Sequence, residues 1–256
     1  MRNRVIAVLR DSRYCPSGPQ ADADILKAVA DRLNADALIE ESRLSEADLA
    51  ATDTLVLTMG RLPETLALLK DFQARGGKVI NDPSAVEICV HRARLQQVMQ
   101  DCHVALPPAE GAESWWLKRG DPDAHGAHDI IFCKDARQLV CAQEYFRERG
   151  VKEWVVSPHV EGTSVKFYGV GQQFFRCYTE EKGERAEERG ERVDMAALHA
   201  DVMKIVNTVN IDIYGGDCIV DKNGRFYIVD FNDWPSFRYC RLDAAEAIAR
   251  RIRNEK

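Results

Sequence analysis

Two acids and an amide, Asp217, Asp230 and Asn232, lie within a stretch reading Asp217-Cys-Ile-Val-Asp-Lys-Asn-Gly-Arg-Phe-Tyr-Ile-Val-Asp-Phe-Asn232. Two apolar runs joined at Asn223-Gly224 are a strong hairpin signal. With those two residues as the loop, residue 222 faces 225 and Asp217 falls directly opposite Asp230. Opposed residues have Cβ atoms about 4.5–5.5 Å apart, where like charges repel. On that register 217, 219, 226, 228, 230 and 232 share one face, and Cys218, Val220, Tyr227 and Val229 share the other. Both faces are largely apolar, so unpaired carboxylates there would be costly. A bound cation relieves them, and all-oxygen donors suit a hard divalent ion. The alternative is that the acids sit at a frayed, wet hairpin end and bind nothing.

Basic side chains are spread along the chain. Lys166 and Arg176 project from adjacent apolar stretches, 165–170 and 173–178, that read as paired strands around Gly171. Alone, such residues are ordinarily surface charges. Arg10 and Arg13 lie in a loop after the first apolar run, where open α/β sheets tend to place ligand groups. Both are candidates to hold an anionic substrate, or are simply solvated. His125 and His128 occupy the 120–128 loop, where a histidine is usually just exposed.

The elements that must position these groups divide into two textures. In the first hundred residues, apolar runs at 5–9, 55–57 and 78–81 alternate with helical stripes at 22–33, 63–75 and one long stripe from Asp82-Pro83 to about Asp101. That alternation implies a parallel sheet with helices on its faces, and the absence of Gly-x-Gly-x-x-Gly argues against a strict dinucleotide-binding fold. After Pro107-Pro108 come strands at 114–119, 129–133 and 153–156, a helix at 136–149, the strand pair holding Lys166, a helix from about Asp194, and the acidic hairpin. The 180–192 run of Glu, Arg, Lys and Gly reads as a solvated loop.

Composition excludes several classes. A chain of 256 residues with 45% hydrophobic and 30% charged side chains can build one large or two to three small cores. The 41 acidic against 35 basic residues argue against a general nucleic-acid binder. Eight cysteines without a Cys-x-x-Cys pair are expected to be mostly buried thiols in a reducing cytoplasm. No apolar run is long enough for a signal peptide or a membrane span.

From Val79 to Phe237 the order of parts resembles the ATP-grasp superfamily, which includes glutathione-synthetase-like and ribosomal-protein-S6-modifying ligases and the inositol trisphosphate kinases. The resemblance implies an α/β and α+β protein: an N-terminal Rossmann-like parallel α/β domain (1–102), a central ATP-grasp lobe (103–160) and a C-terminal ATP-grasp lobe carrying the metal site (161–256). It puts Arg92 where a phosphate-binding lysine is usual, and Lys118 on the strand of the second phosphate lysine. Ser157, Pro158, His159 and Val160 fall at the hinge that reads adenine, and Ser164 stands where many members have a ribose-holding acid. By the same resemblance Lys166 and Arg176 are catalytic cations at the γ-phosphate or acceptor, and Asp217, Asp230 and Asn232 hold Mg²⁺, two ions being expected with ATP.

What the resemblance leaves open is the acceptor. A carboxylate–amine ligase working through an acylphosphate is favoured. The alternative is a small-molecule kinase, to which the Lys118-to-His128 spacing has partial likeness, and an ATP-binding regulator comes third. The acceptor is expected to be a small molecule or peptide, with no nucleic-acid or membrane partner and a homodimer left open.

Overall fold

The computed structural model describes residues 4–15, 18–122, 126, 128–180, 183, 185 and 194–254. Its first sheet is parallel, ordered β2 (Ala37–Glu40), β1 (Val5–Leu9), β3 (Leu55–Thr58), β4 (Lys78–Ile80). The Val-Ile-Ala-Val run of β1 is buried on both faces because its alternate residues feed two cores: Val5 and Ala7 one, Ile6 and Val8 the other. Helix α1 (Pro19–Leu33) begins on a proline and ends on Asn34 in the left-handed region, and α2 (Pro63–Ala74) also starts on proline.

The long stripe expected from Asp82 to Asp101 is two helices, α3 (Pro83–Val90) and α4 (Arg92–Asp101). His91 leaves helical geometry between them, and its ring nitrogen accepts from the amide of Arg94, capping the second helix as the first ends. Periodicity alone could not show this, since the apolar side continues across the break.

A three-stranded antiparallel sheet follows, ordered β6 (Ile130–Cys133), β5 (Trp115–Arg119), β7 (Trp154–Pro158), with α5 (Ala136–Glu148) behind it. The last sheet is also antiparallel, ordered β11 (Phe226–Asp233), β10 (Ile213–Val220), β8 (Thr163–Val170), β9 (Phe174–Thr179). Helix α6 (Met195–Val209) covers one face, forming a core with Val165, Phe167, Cys218, Ile228 and Phe231. The chain closes with α7 (Arg241–Asn254), which packs on α1 and joins the N-terminal and C-terminal units in one apolar cluster.

A polar latch reinforces that junction. Buried Asn81 behaves like a strand partner of Ile213, donating to its carbonyl at 2.7 Å and accepting from its amide at 2.8 Å. All eight cysteines are free and five of them are buried. Among the described residues no helix is long and apolar enough to cross a membrane.

Candidate active site

The acidic hairpin reaches its pairing by two compensating offsets. Its loop has three residues, Lys222, Asn223 and Gly224, because Asp221 and Arg225 pair across it and the Asp221 carboxylate accepts from the amides of Asn223 and Arg225. Gly224 supplies the positive φ of +80° that closes this turn. The extra loop residue shifts the ladder by one, so Cys218 faces Ile228 rather than Val229. A bulge between Asp217 and Cys218 then restores the register, and Asp217 faces Asp230.

The side-chain faces therefore differ from the expected set. Phe226 and Ile228 join Cys218 and Val220 in the core against α6, which leaves Ile219 and Tyr227 beyond the acids on the other side. Gly216 is needed for the approach, since a Cβ there would lie 2.2 Å from the carbonyl oxygen of Asp230.

Neighbouring strands bring cations to the pair. Lys166 lies opposite Asp217 on β8 and donates to its carboxylate at 2.7 Å, with Glu180 3.5 Å away on the other side. Lys118, from β5 of the central sheet, reaches across to the carbonyl of the bulged Val229 at 2.9 Å. Asn232 donates to Asp230 at 3.0 Å, which leaves its amide oxygen for another partner.

Burial sets the protonation of this group. It pushes the Asp217 carboxyl above the usual range, the ammonium of Lys166 opposing it and the charge of Asp230 adding to it. Burial also works against the Lys166 ammonium, but Asp217 and Glu180 outweigh it and hold that pKa above the ordinary lysine value. Lys118 goes the other way: burial depresses it, Asp230 and Asp217 only partly offset this, and the charge of Arg92 adds to the depression.

The facing side of the central sheet is open and aromatic. Cross-strand register puts Trp116, Lys118, Ile130, Phe132 and Ser157 on one face, while Leu117 and Cys133 pack against α5. Phe132 and Ile130 remain 43% and 48% exposed. Trp116 donates from its indole nitrogen to His159 at 3.1 Å, and the rings of Trp116 and Phe132 lie 4.9 Å apart. Just past β7, the His159 amide bonds to Ser114, whereas the Val160 amide enters no hydrogen bond among the described residues.

The remaining expected site residues divide sharply. Arg92 opens α4, donates to the Arg119 carbonyl at 2.8 Å and sits near Lys118. Ser164 donates to Glu180 at 2.8 Å. Arg10, a candidate for substrate, is instead consumed in the interior: it binds Asp22 at 2.8 Å, Asp233 at 3.1 Å and the carbonyls of Met59 and Trp234. Arg13 is exposed and paired with Asp11 two residues away. Arg176 faces the same way as Lys166 but two residues further along β9, and its guanidinium turns back over Phe174 and the Phe175 carbonyl. It is not brought to the acids. His128 is exposed and its carbonyl accepts from Arg149, while His125 lies outside the described residues.

No sequence signal marks Glu180 or the Trp116–Phe132 face as part of a site. Glu180 opens the 180–192 charged run, expected to be a solvated loop, most of which lies outside the described residues. Only the β8–β9 register, which sets it beside Ser164 and Lys166, distinguishes it.

Among the described residues no group of three or more His, Cys, Asp or Glu is arranged to hold a metal. Two carboxylates and an amide oxygen still fit magnesium, which commonly takes one or two protein carboxylates and fills its shell with water and phosphate. The ammonium of Lys166 already lies against Asp217, where positive charge is required.

Proteins of known structure share this architecture. The chain superposes on the RimK domain protein ATP-grasp of Sphaerobacter thermophilus with a TM-score of 0.68 at 17% identity, over 96% of this chain and 98% of that one. For D-alanyl-alanine synthetase A of Vibrio cholerae the TM-score is 0.73 at 11% identity, covering 99% and 98%. D-alanine–D-alanine ligase of Bacillus anthracis complexed with ATP gives 0.67 at 12%, covering 99% of each chain. No family model and no curated protein sequence matches the chain. The fold is the ATP-grasp fold, with the Asp217–Asp230 pair and its lysines on the facing sheets of its last two units.

Proposed function

We propose that this protein is a Mg²⁺- and ATP-dependent carboxylate–amine ligase. The observation that carries the reading is the Asp217–Asp230 pair flanked by Lys166 and Lys118 beneath an open aromatic face. The same fold in two D-alanine ligating enzymes, one complexed with ATP, supports it.

In this reading the N-terminal unit (1–102) frames the acceptor side, and the central (103–160) and C-terminal (161–256) lobes clasp the nucleotide. The adenine lies against Trp116 and Phe132, with the Val160 amide and the Pro158 carbonyl at its edge; proline lacks an N–H, and an acceptor there needs none. Glu180, paired with Ser164, stands at the ribose in place of an acid at position 164. Lys118, with Arg92 beside it, and Lys166 neutralise the phosphates, and Lys118, depressed by burial, gains most from a nearby anion. Asp217, Asp230 and Asn232 would hold Mg²⁺, which would supply charge neutralisation to the ATP phosphates.

The substrate carboxylate attacks the γ-phosphorus, the bond from phosphorus to the β–γ bridging oxygen breaks, and ADP leaves. An amine then attacks the acyl carbon of the acylphosphate, releasing phosphate and a proton. The protein's share is positioning and fixed charge rather than covalent chemistry. Assay of ADP and phosphate release with MgATP and pooled amino acids or peptides tests this. Release that requires both a carboxylate and an amine is expected; a stable phosphoester on a hydroxyl acceptor, or no ATP binding, overturns it.

A further inference from the structure

One cleft among the described residues is not lined by the acid pair. A cleft of about 560 Å³ opens on the C-terminal lobe between the β8–β9 turn and the last turns of α6 and α7. Three arginines border it. Arg251 is already committed, donating twice to Asp212 at 2.8 and 3.1 Å. Arg250 makes no hydrogen bond or ion pair among the described residues. Arg176 lies 5.0 Å from the Phe174 ring centroid, spends one nitrogen on the Phe175 carbonyl at 2.8 Å, and keeps its buried Nε–H without an acceptor.

Two amide side chains, Gln173 and Asn207, also face the cleft with unspent donors. Basic residues in the last turn of a helix ordinarily complement its dipole, which accounts for Arg251 on α7. It does not account for Arg176, which is on a strand and carries a donor buried without a partner, a condition native structures rarely tolerate.

We propose that this cleft is a second ligand site, for a small organic anion gripped by the guanidinium groups of Arg176 and Arg250. A planar fork suits carboxylate and phosphate alike. The volume is that of a metabolite-sized pocket and far exceeds a bare ion. Gln173 and Asn207 offer hydrogen bonds to polar groups on the body of the ligand. The site is independent of the ligase reading, since Arg176 turns away from the acid pair and no other residue assigned to nucleotide or metal lines it.

Calorimetric titration of the full chain with glycerol 1-phosphate and, separately, with glutarate tests the proposal and distinguishes a phosphate from a carboxylate ligand. One of the two is expected to bind with Kd below about 1 mM. Its affinity should fall by about 10-fold or more in Arg250→Gln and in Arg176→Gln, and stay unchanged in Lys118→Met. Arg250 is exposed, so that variant reports even where Arg176→Gln does not fold. Failure of both probes to bind overturns the second site. So does binding that is lost in Lys118→Met and indifferent to Arg250→Gln, which would place the anion at the acid pair.

Discussion

Asp230 and Asp233 lie three residues apart on β11 and meet opposite fates. Asp233 is fully buried and held by two arginines, Arg10 and Arg61, both brought from the N-terminal unit. Burial works against its ionised form, but Arg61 and Arg10 outweigh this and hold its carboxyl below the usual range. Asp230 faces Asp217, and the cation bonded to the pair is the ammonium of Lys166, with no guanidinium bonded to either acid among the described residues. Guanidinium forks fix a carboxylate in one geometry, whereas an ammonium on a flexible stem can move aside. One acid therefore serves as a rivet between units, and the other remains available to a ligand.

The sharpest way to break this contrast is to neutralise each acid in turn. Asp233→Asn leaves Arg10 and Arg61 buried without their shared partner and should cost about 3–5 kcal/mol, read by chemical denaturation. Its pH dependence has a definite sign. A depressed folded-state pKa contributes stability that is present above the unfolded carboxylate pKa and lost as pH falls through the folded value. The native chain should thus shed this increment in acid, and Asp233→Asn should lack it. An equal cost for Asp230→Asn would erase the distinction.

Ligand linkage gives the next largest effect. A non-hydrolysable ATP analogue with Mg²⁺ at a hundred times its Kd should stabilise the native chain by about 2.7 kcal/mol, and thermal melts of Asp230→Asn should show little of it. Asp217 titrates in the opposite sense from Asp233. Its raised pKa gives stability that is full below the unfolded value and lost as pH rises through the folded one. Ionised Asp217 therefore weighs against the fold at neutral pH, and a cation offsets it. Stabilisation by the metal–nucleotide complex should accordingly fade as pH drops toward the carboxylate range.

Lys118→Met removes a charge-assisted contact and should weaken nucleotide binding by about 2 kcal/mol, roughly 30-fold, measurable through the fluorescence of nearby Trp116. Smallest of all, Asp230→Asn without metal should leave stability unchanged or raise it by up to about 1 kcal/mol, since it removes one of two opposed charges. A clear loss there would mean that the acid contributes to holding the fold.

The hairpin shows how far local reading reaches. Alternating apolar runs and Asn-Gly located it, and Asp217 does face Asp230. The route differs, because the Asp221 carboxylate favours a three-residue loop and the bulge at Val229 cancels the shift. Two errors of one residue cancel in the pairing of the acids yet turn Phe226 and Ile228 to the opposite side. Arg10 and Arg176 show the limit: each is a lone cation in sequence, and only distant partners decide whether it is spent. Arg10 finds Asp233 more than two hundred positions away, and Arg176 finds the cleft under α7.

The sequence by itself determined most of the strands and helices and the spacing of the acidic hairpin, but not the edge strand β2 or the last helix α7. These follow from short-range physics: apolar periodicity, proline and glycine at element ends, and turn chemistry. Tertiary structure alone decided which charges are neutralised and which stay available. That depends on desolvation and on partners from other units, and neither is written in the neighbourhood of the residue itself.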